Sequence, residues 1–267
     1  MGDRVVAIHS GAMTTLKPTL EASARAGIAA RTEALFRASG ALRDGHFLLK
    51  SGRHSGAYLE KFAVLSNPAA TSELCGFWAG RFRAPGDPDG PGAPGDSPEV
   101  DLVAGPTTGG VILAFETGRQ LGTRAIFAEE VHTGGHPRRE FRRGFRIERG
   151  ERVLLVDDIL TTGGSLLAMI PAVEAAGGEI IECVVLVDRS GGMSALTSPQ
   201  SGRRYPLSAL WILDLPTYEP GPEMCPLCAD GAELYAPGST GAAAGSNAGA
   251  APSSTGAAAS GSGAASR

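Results

Sequence analysis

A run of residues suited to a buried strand, Arg152-Val153-Leu154-Leu155-Val156, ends in two adjacent carboxylates, Asp157 and Asp158. After Ile159 and Leu160 it passes through Thr161-Thr162-Gly163-Gly164-Ser165 into an apolar segment of helical length. This order constrains both fold and chemistry. In an open α/β sheet, ligands sit beyond the carboxyl ends of the strands, where a helix N-terminus presents free N–H groups and a dipole favourable to phosphate. Glycines let the backbone come close to the ligand, and Thr and Ser hydroxyls donate to phosphate oxygens. Paired carboxylates accept hydrogen bonds from a sugar diol or hold a magnesium shell. Taken alone, an acidic pair after a strand is a turn, and Thr162 or Ser165 a helix cap. The joint pattern specifies a sugar phosphate. It lacks the Gly-Lys-Ser/Thr of a nucleoside triphosphate loop, which argues against an ATPase.

The surrounding chain repeats the same alternation. Apolar runs at 100–104, 124–128, 152–156, 179–187 and 207–213 alternate with helical patterns at 110–120 and 164–176. Strands separated by helix-length segments form βαβ units, so the expected class is α/β with a mainly parallel twisted sheet flanked by helices. Upstream, 19–39 suits a helix stopped by Gly40, and 71–82 places Leu74, Phe77 and Trp78 on one helical face, as a core helix would. The segment 84–98 is too rich in Pro, Gly and Asp for a packed element and is expected to be a surface insertion. Residues 1–18, with an internal Met13, are expected to be a weakly ordered extension, and the Gly/Ala/Ser-rich stretch 238–267 a disordered tail.

With 267 residues, 42% of them hydrophobic, the chain can fill one large core around residues 19–237. A net charge of −4 gives no general attraction for nucleic acid or an anionic membrane, so anion binding has to come from a local cluster. No stretch reaches the length of a membrane span and no secretory leader is evident, so a cytoplasmic location is expected. Four cysteines, Cys75, Cys183, Cys225 and Cys228, are too few for a disulfide scaffold. Only three lysines occur, Lys17, Lys50 and Lys61.

The segment from Asp157 to Ser165 resembles the phosphoribosyl pyrophosphate signature of type I phosphoribosyltransferases. That resemblance implies their fold, with a small hood subdomain. It also implies that Asp157 and Asp158 hold the ribose hydroxyls, that Thr161, Thr162, Gly163, Gly164 and Ser165 cradle the 5′-phosphate, and that Ile159 and Leu160 belong to the same phosphoribosyl pyrophosphate site. A second loop between a strand and a helix, Gly105-Pro106-Thr107-Thr108-Gly109-Gly110, resembles the family's pyrophosphate loop, with Thr107, Thr108 and Gly109 as binding residues. Many relatives carry a lysine there; here only backbone and hydroxyl donors are available.

Further segments are similar to orotate phosphoribosyltransferases in particular. Leu49-Lys50-Ser51-Gly52-Arg53 precedes a serine and Tyr58, and Val187-Asp188-Arg189 ends a strand-like run. The resemblance places Lys50, Thr161 and Arg189 at the base, where a guanidinium matches the carboxylate that distinguishes orotate from uracil. Cys225-Pro226-Leu227-Cys228, with Pro237-Gly238-Ser239 beyond it, is similar to a bacterial subgroup of these enzymes. Two cysteines are half a zinc site, so zinc would need a partner chain or histidines from elsewhere. A redox pair is a further reading, and a structural turn with free thiols is the expectation.

The stretch 129–150 contains His136, Arg138, Arg139, Arg142 and Arg143 and sits where the family has a flexible loop with catalytic lysines. Here arginines stand in, and Arg142 and Arg143 join Asp157 and Asp158 as expected catalytic residues. Without a reading helix or regularly spaced aromatics, a nucleic-acid patch is the weaker interpretation. The resemblance further implies a homodimer, and Mg2+ held mainly by pyrophosphate rather than by protein ligands. It implies transfer of ribose 5-phosphate from phosphoribosyl pyrophosphate to orotate in pyrimidine (UMP) biosynthesis. A transferase for another base, or a ligand-sensing regulator on the same fold, are the alternatives.

Overall fold

The computed structural model describes residues 22–49, 51–83, 99–133 and 136–237. The N-terminal extension, the 84–98 insertion, the tail from 238 and Lys50 lie outside the described residues. In chain order the elements begin with helix α1 (Ala22–Ala38), strands β1 (Leu42–Leu48) and β2 (His54–Leu59), and helices α2 (Lys61–Leu65) and α3 (Pro68–Phe82). Next come β3 (Leu102–Pro106), α4 (Gly109–Leu121), β4 (Arg124–Thr133), β5 (His136–Phe141), β6 (Arg152–Leu160) and α5 (Gly164–Ala176). The chain continues through β7 (Glu179–Asp188), β8 (Ala195–Thr197), β9 (Arg204–Ile212), β10 (Thr217–Tyr218), α6 (Pro226–Ala229) and β11 (Leu234–Tyr235).

The main sheet has the order β5-β4-β3-β6-β7-β9-β8, parallel from β4 to β9 and antiparallel at both edges. Its central strands β3, β6 and β7 are mostly apolar because both faces are covered. Leu154 and Val156 of β6 enter a core shared with α3 and α4, whereas Val153 and Leu155 join Leu166, Met169, Ile170 and Val173 of α5. Period-two alternation thus feeds two cores from one strand. From β3 the chain moves outward to β4, and it later returns to place β6 on the opposite side of β3. The carboxyl ends of β3 and β6 therefore flank a topological switch point, the preferred ligand site of such sheets.

A smaller sheet, β10-β2-β1-β11, joins the N-terminal hairpin to the C-terminal segment. Helix α3 starts earlier than its apolar pattern suggested, because Asn67 Oδ1 accepts hydrogen bonds from Ala69 N at 3.1 Å and Ala70 N at 3.2 Å, with Pro68 in the first turn. Much of the stretch read as a flexible hood is ordered as the β4–β5 ladder, which runs from Ala128↔Phe141 to Thr133↔His136. Its pairing includes the opposite charges Glu130↔Arg139. Among the described residues, no helix is long and apolar enough to cross a membrane.

Candidate active site

Strand β6 runs on past Val156, so Asp157 and Asp158 are held rigidly in the sheet at 8% and 3% exposure. Asp157 Oδ1 accepts from the Asp158 amide at 2.8 Å, and Asp158 Oδ1 accepts from the Ile159 amide at 2.7 Å. Lys61 Nζ lies 3.0 Å from Asp158 Oδ1 and 2.8 Å from Oδ2. Oδ2 shares in the ion pair but receives no directed hydrogen bond among the described residues. Burial, and then the neighbouring charge of Asp158, push the Asp157 carboxyl up to about 7; the Asp158 amide, Lys61 and Arg139 offset this only in part.

Two helix N-termini flank this pair. Gly163, at φ 76°, is the N-cap of α5, and that helix has no side-chain cap. The first-turn amides are therefore free to meet an anion, beside exposed Thr161 and Thr162 and the hydroxyl of Ser165. A Cβ on Gly163 would stand 2.8 Å from Leu196 Cδ2, so both conformation and space require glycine. The N-terminus of α4 likewise has no side-chain cap at Thr108. Here the backbone is packed at the limit: a Cβ on Gly105 would lie 2.2 Å from Gly110 O, and one on Gly109 would lie 1.9 Å from Asp158 Oδ2. The Thr107–Thr108 peptide is cis. Arg139 holds this loop from the β5 side, donating from Nη1 to Thr107 O at 3.0 Å and to Thr107 Oγ1 at 2.8 Å, while Nη2 donates to Glu130 at 3.0 Å.

Between the two cradles lies a cleft of about 490 Å³. It brings together Asp157, Asp158, Ile159, Thr161, Ser165, Thr107, Thr108 and Arg189. Arg189 leaves the end of β7, its amide donating to Leu160 O at 2.8 Å. Its Nε is buried with no hydrogen-bond partner among the described residues, and burial draws the guanidinium pKa downward. A cation desolvated without a counter-charge suits an anionic ligand.

Other expected residues lie elsewhere. Leu160 is buried in the α5-side core, where its side chain meets protein rather than cleft. Gly109 acts by lacking a side chain. Arg142 and Arg143 do not line the cleft: Arg142 pairs with Glu140 at 3.2 Å and Arg143 with Glu129 at 2.6 Å, both largely exposed, because the hairpin supplies its own carboxylates. Adjacent residues of a strand face opposite ways, so of Arg138 and Arg139 only the latter turns inward to Thr107. Sequence reasoning missed the cleft-lining stretch Leu59, Glu60, Lys61 and Phe62, of which Lys61 reaches the acidic pair. Its scarcity, as one of three lysines, was the available signal.

A parallel sheet with a switch-point cleft, an acidic pair and two uncapped helix N-termini is the architecture of a phosphoribosyltransferase, and residues 95–198 match the family described as phosphoribosyl transferase domain. The chain is 40% identical over 205 residues to the orotate phosphoribosyltransferase of Caldicellulosiruptor saccharolyticus, covering 77% of this chain and 94% of that one. It is 39% identical over 212 residues to that of Chlorobaculum parvum, covering 78% and 94%. The chain belongs to the orotate phosphoribosyltransferase family. Its fold is shared by the solved orotate phosphoribosyltransferase from Aeropyrum pernix, with a TM-score of 0.51 at 23% identity over 67% of this chain and 92% of that one.

Proposed function

We infer that this chain transfers ribose 5-phosphate from phosphoribosyl pyrophosphate to orotate, yielding orotidine 5′-monophosphate and pyrophosphate; its relatives are named orotate phosphoribosyltransferase. The observation that carries the reading is Arg189: a half-buried guanidinium whose Nε has no hydrogen-bond partner among the described residues, at the same cleft as a buried carboxylate pair and two uncapped helix N-termini. A base without a carboxylate would leave that cation unmatched.

The α5 N-terminus, with Thr161 to Ser165, receives the 5′-phosphate. The α4 N-terminus, with Thr107 and Thr108, receives the diphosphate. Asp157 and Asp158 accept hydrogen bonds from the ribose hydroxyls. As the bond from C1′ to the leaving oxygen breaks and that to the orotate ring nitrogen forms, with loss of the ring N–H proton, the sugar becomes cationic. The two carboxylates then stabilise it more than they stabilise the ground state. Catalysis rests on placement and fixed charge, with no covalent protein nucleophile.

Lys61 already occupies both oxygens of Asp158, so Mg2+ would be held mainly by the diphosphate, with the oxygen donors of the acidic pair close by. Bound with the diphosphate, Mg2+ would neutralise charge on the leaving group. Lys50 reaching the base, a homodimer in which Arg142 and Arg143 serve the neighbouring cleft, and a cytoplasmic place in UMP biosynthesis complete the proposal.

The test is direct. Purified protein given orotate, phosphoribosyl pyrophosphate and Mg2+ should consume orotate, read as loss of its absorbance, and should leave uracil and adenine unchanged. Turnover of a base lacking a carboxylate in preference to orotate, or none with any base alongside tight nucleic-acid binding, would overturn it.

A further inference from the structure

We propose that His46, His54, Cys225 and Cys228 form a structural zinc site that pins the C-terminal segment onto the N-terminal hairpin. Two of the four residues come from adjacent strands: His46 lies on β1 and His54 on β2. Cys225 is the N-cap of α6 and Cys228 lies within that helix. One ligand atom from each of the four converges so that all lie within 4.8 Å of one another.

The separations are those of ligands around one ion. Cys225 Sγ stands 3.6 Å and Cys228 Sγ 3.7 Å from His46 Nε2, and Cys228 Sγ stands 3.2 Å from His54 Nδ1. The two ring nitrogens are 2.8 Å apart. Nitrogen and sulfur ligands about 2.0–2.3 Å from a tetrahedral zinc are roughly 3.3–3.8 Å from each other; the three sulfur–nitrogen separations already lie close to that range, and an ion would open the nitrogen pair slightly.

Hydrogen bonding alone does not account for the cluster. His46 Nδ1 lies 2.9 Å from Ala232 O, a carbonyl that can only accept, so Nδ1 carries the proton and Nε2 presents one in-plane lone pair. Three groups crowd that lone pair: His54 Nδ1, Cys225 Sγ and Cys228 Sγ. It can satisfy one of them. A divalent ion uses every lone pair at once, and two thiolates with two neutral imidazoles balance its charge. The Ala232 carbonyl is then the outer partner that fixes the ring and tautomer of His46, as is usual for metal-bound histidine.

The setting is that of a structural ion. His46, His54 and Cys225 are 3%, 5% and 0% exposed, and four protein ligands leave no open position for substrate. None of the four lines the phosphoribosyl cleft. The ion would join residues 179 apart in sequence and lock a small sheet in which β11 and β10 contribute only Leu234–Tyr235 and Thr217–Tyr218. So small a sheet buries little of its own, and a metal supplies folding energy that such pieces lack.

Metal analysis of the full chain, purified under reducing conditions without added chelator, tests this. One zinc per chain is expected. After its removal, cobalt should give the intense visible bands of a tetrahedral ion with thiolate charge transfer. Stripping the ion should lower the melting temperature, and added zinc should restore it. Cys228→Ala should lose the ion, whereas His54→Cys, which keeps four ligands, should retain it with added thiolate charge-transfer intensity. The second variant keeps the test decisive if the first fails to fold. Full-length folded protein without zinc, which takes up neither zinc nor cobalt on addition, would overturn the proposal, as would a Cys225–Cys228 disulfide in that reduced preparation. Because the readouts are metal content, spectra and melting, failure here is distinct from failure of the orotate assay.

Discussion

Lys61 Nζ stands 2.8 Å from Asp158 Oδ2, joining the first turn of α2 to the end of β6 across 97 residues of sequence. Lys61 is 34% exposed and Asp158 4%, so the carboxylate depends on the lysine more than the reverse. Lys61→Gln leaves a buried carboxylate pair without its nearby cation. Kinetic assays should show kcat/KM for orotate falling by about 10²-fold, the scale for losing one fixed charge at a reacting centre. Urea denaturation should show a stability loss of about 1–2 kcal/mol, smaller than for a fully buried pair because water still reaches the lysine.

Asp157 sits beside that pair with its carboxyl pushed up to about 7 by burial and by Asp158. The unfolded chain titrates this group near 3.9, so between about pH 4 and 7 the folded state binds the proton that the unfolded state has released. Asp157 therefore stabilises the fold best below its unfolded pKa, and its contribution erodes as pH rises toward its folded value. Asp157→Asn removes that dependence. Denaturation at pH 5 and pH 8 should find the variant more stable than the parent at pH 8, on the order of 2 kcal/mol, with the gain shrinking at pH 5. Activity should fall sharply at both. A variant equally destabilised at both pH values would show that the Asp157 carboxylate is stabilising rather than strained.

What the sequence made legible was whatever depends on local order. Strand β6 and helix α5 follow from a two-sided apolar run, a glycine turn and a second apolar run; that Asp157, Asp158, Thr161 and Ser165 meet Thr107, Thr108 and Arg189 in one cleft was implied by the resemblance, not by those local patterns. What stayed hidden depends on distant approach. Nothing near Lys61 announces Asp158, and nothing near Cys225 and Cys228 announces His46 and His54 until β1 and β2 pair and β11 docks beside β1. The hairpin β4–β5 was read as a loop because Gly134, Gly135 and a dense run of charge mask its period. Its inward residue, Arg139, is distinguishable from Arg138 only once the strand phase is known.

Gly109 approaches Asp158 so closely that a Cβ would lie 1.9 Å from Oδ2, and neither side can yield cheaply: one is helix backbone and the other is a buried, ion-paired carboxylate. Gly109→Ala should displace Asp158 from Lys61 and shift the N-terminus of α4. Steady-state kinetics should show kcat lower by about 10²-fold or more, the usual scale for misplacing a reacting group by an ångström. Gly122→Ala, an open position at the other end of α4 with φ 70°, should cost stability through backbone strain while leaving kcat close to the parent value.

Arg189 distinguishes the base site from the phosphoribosyl site. Its Nε is buried without a partner among the described residues, and burial lowers its pKa, so in the absence of ligand the fold gains nothing from the charge. Arg189→Met should therefore leave the melting temperature unchanged or slightly raised, because an unpaired desolvated cation is replaced by an apolar chain of similar length. With substrate the balance reverses. Loss of a charge-assisted pair to the orotate carboxylate, worth about 1.5–3 kcal/mol, should lower kcat/KM for orotate about 10- to 100-fold and leave the KM for phosphoribosyl pyrophosphate near that of the parent. Arg189→Lys should recover little of the loss, since a single ammonium cannot reproduce the planar pair of donors. If both substrates weakened equally in Arg189→Met, the guanidinium would be supporting the end of β7 instead of reading the base.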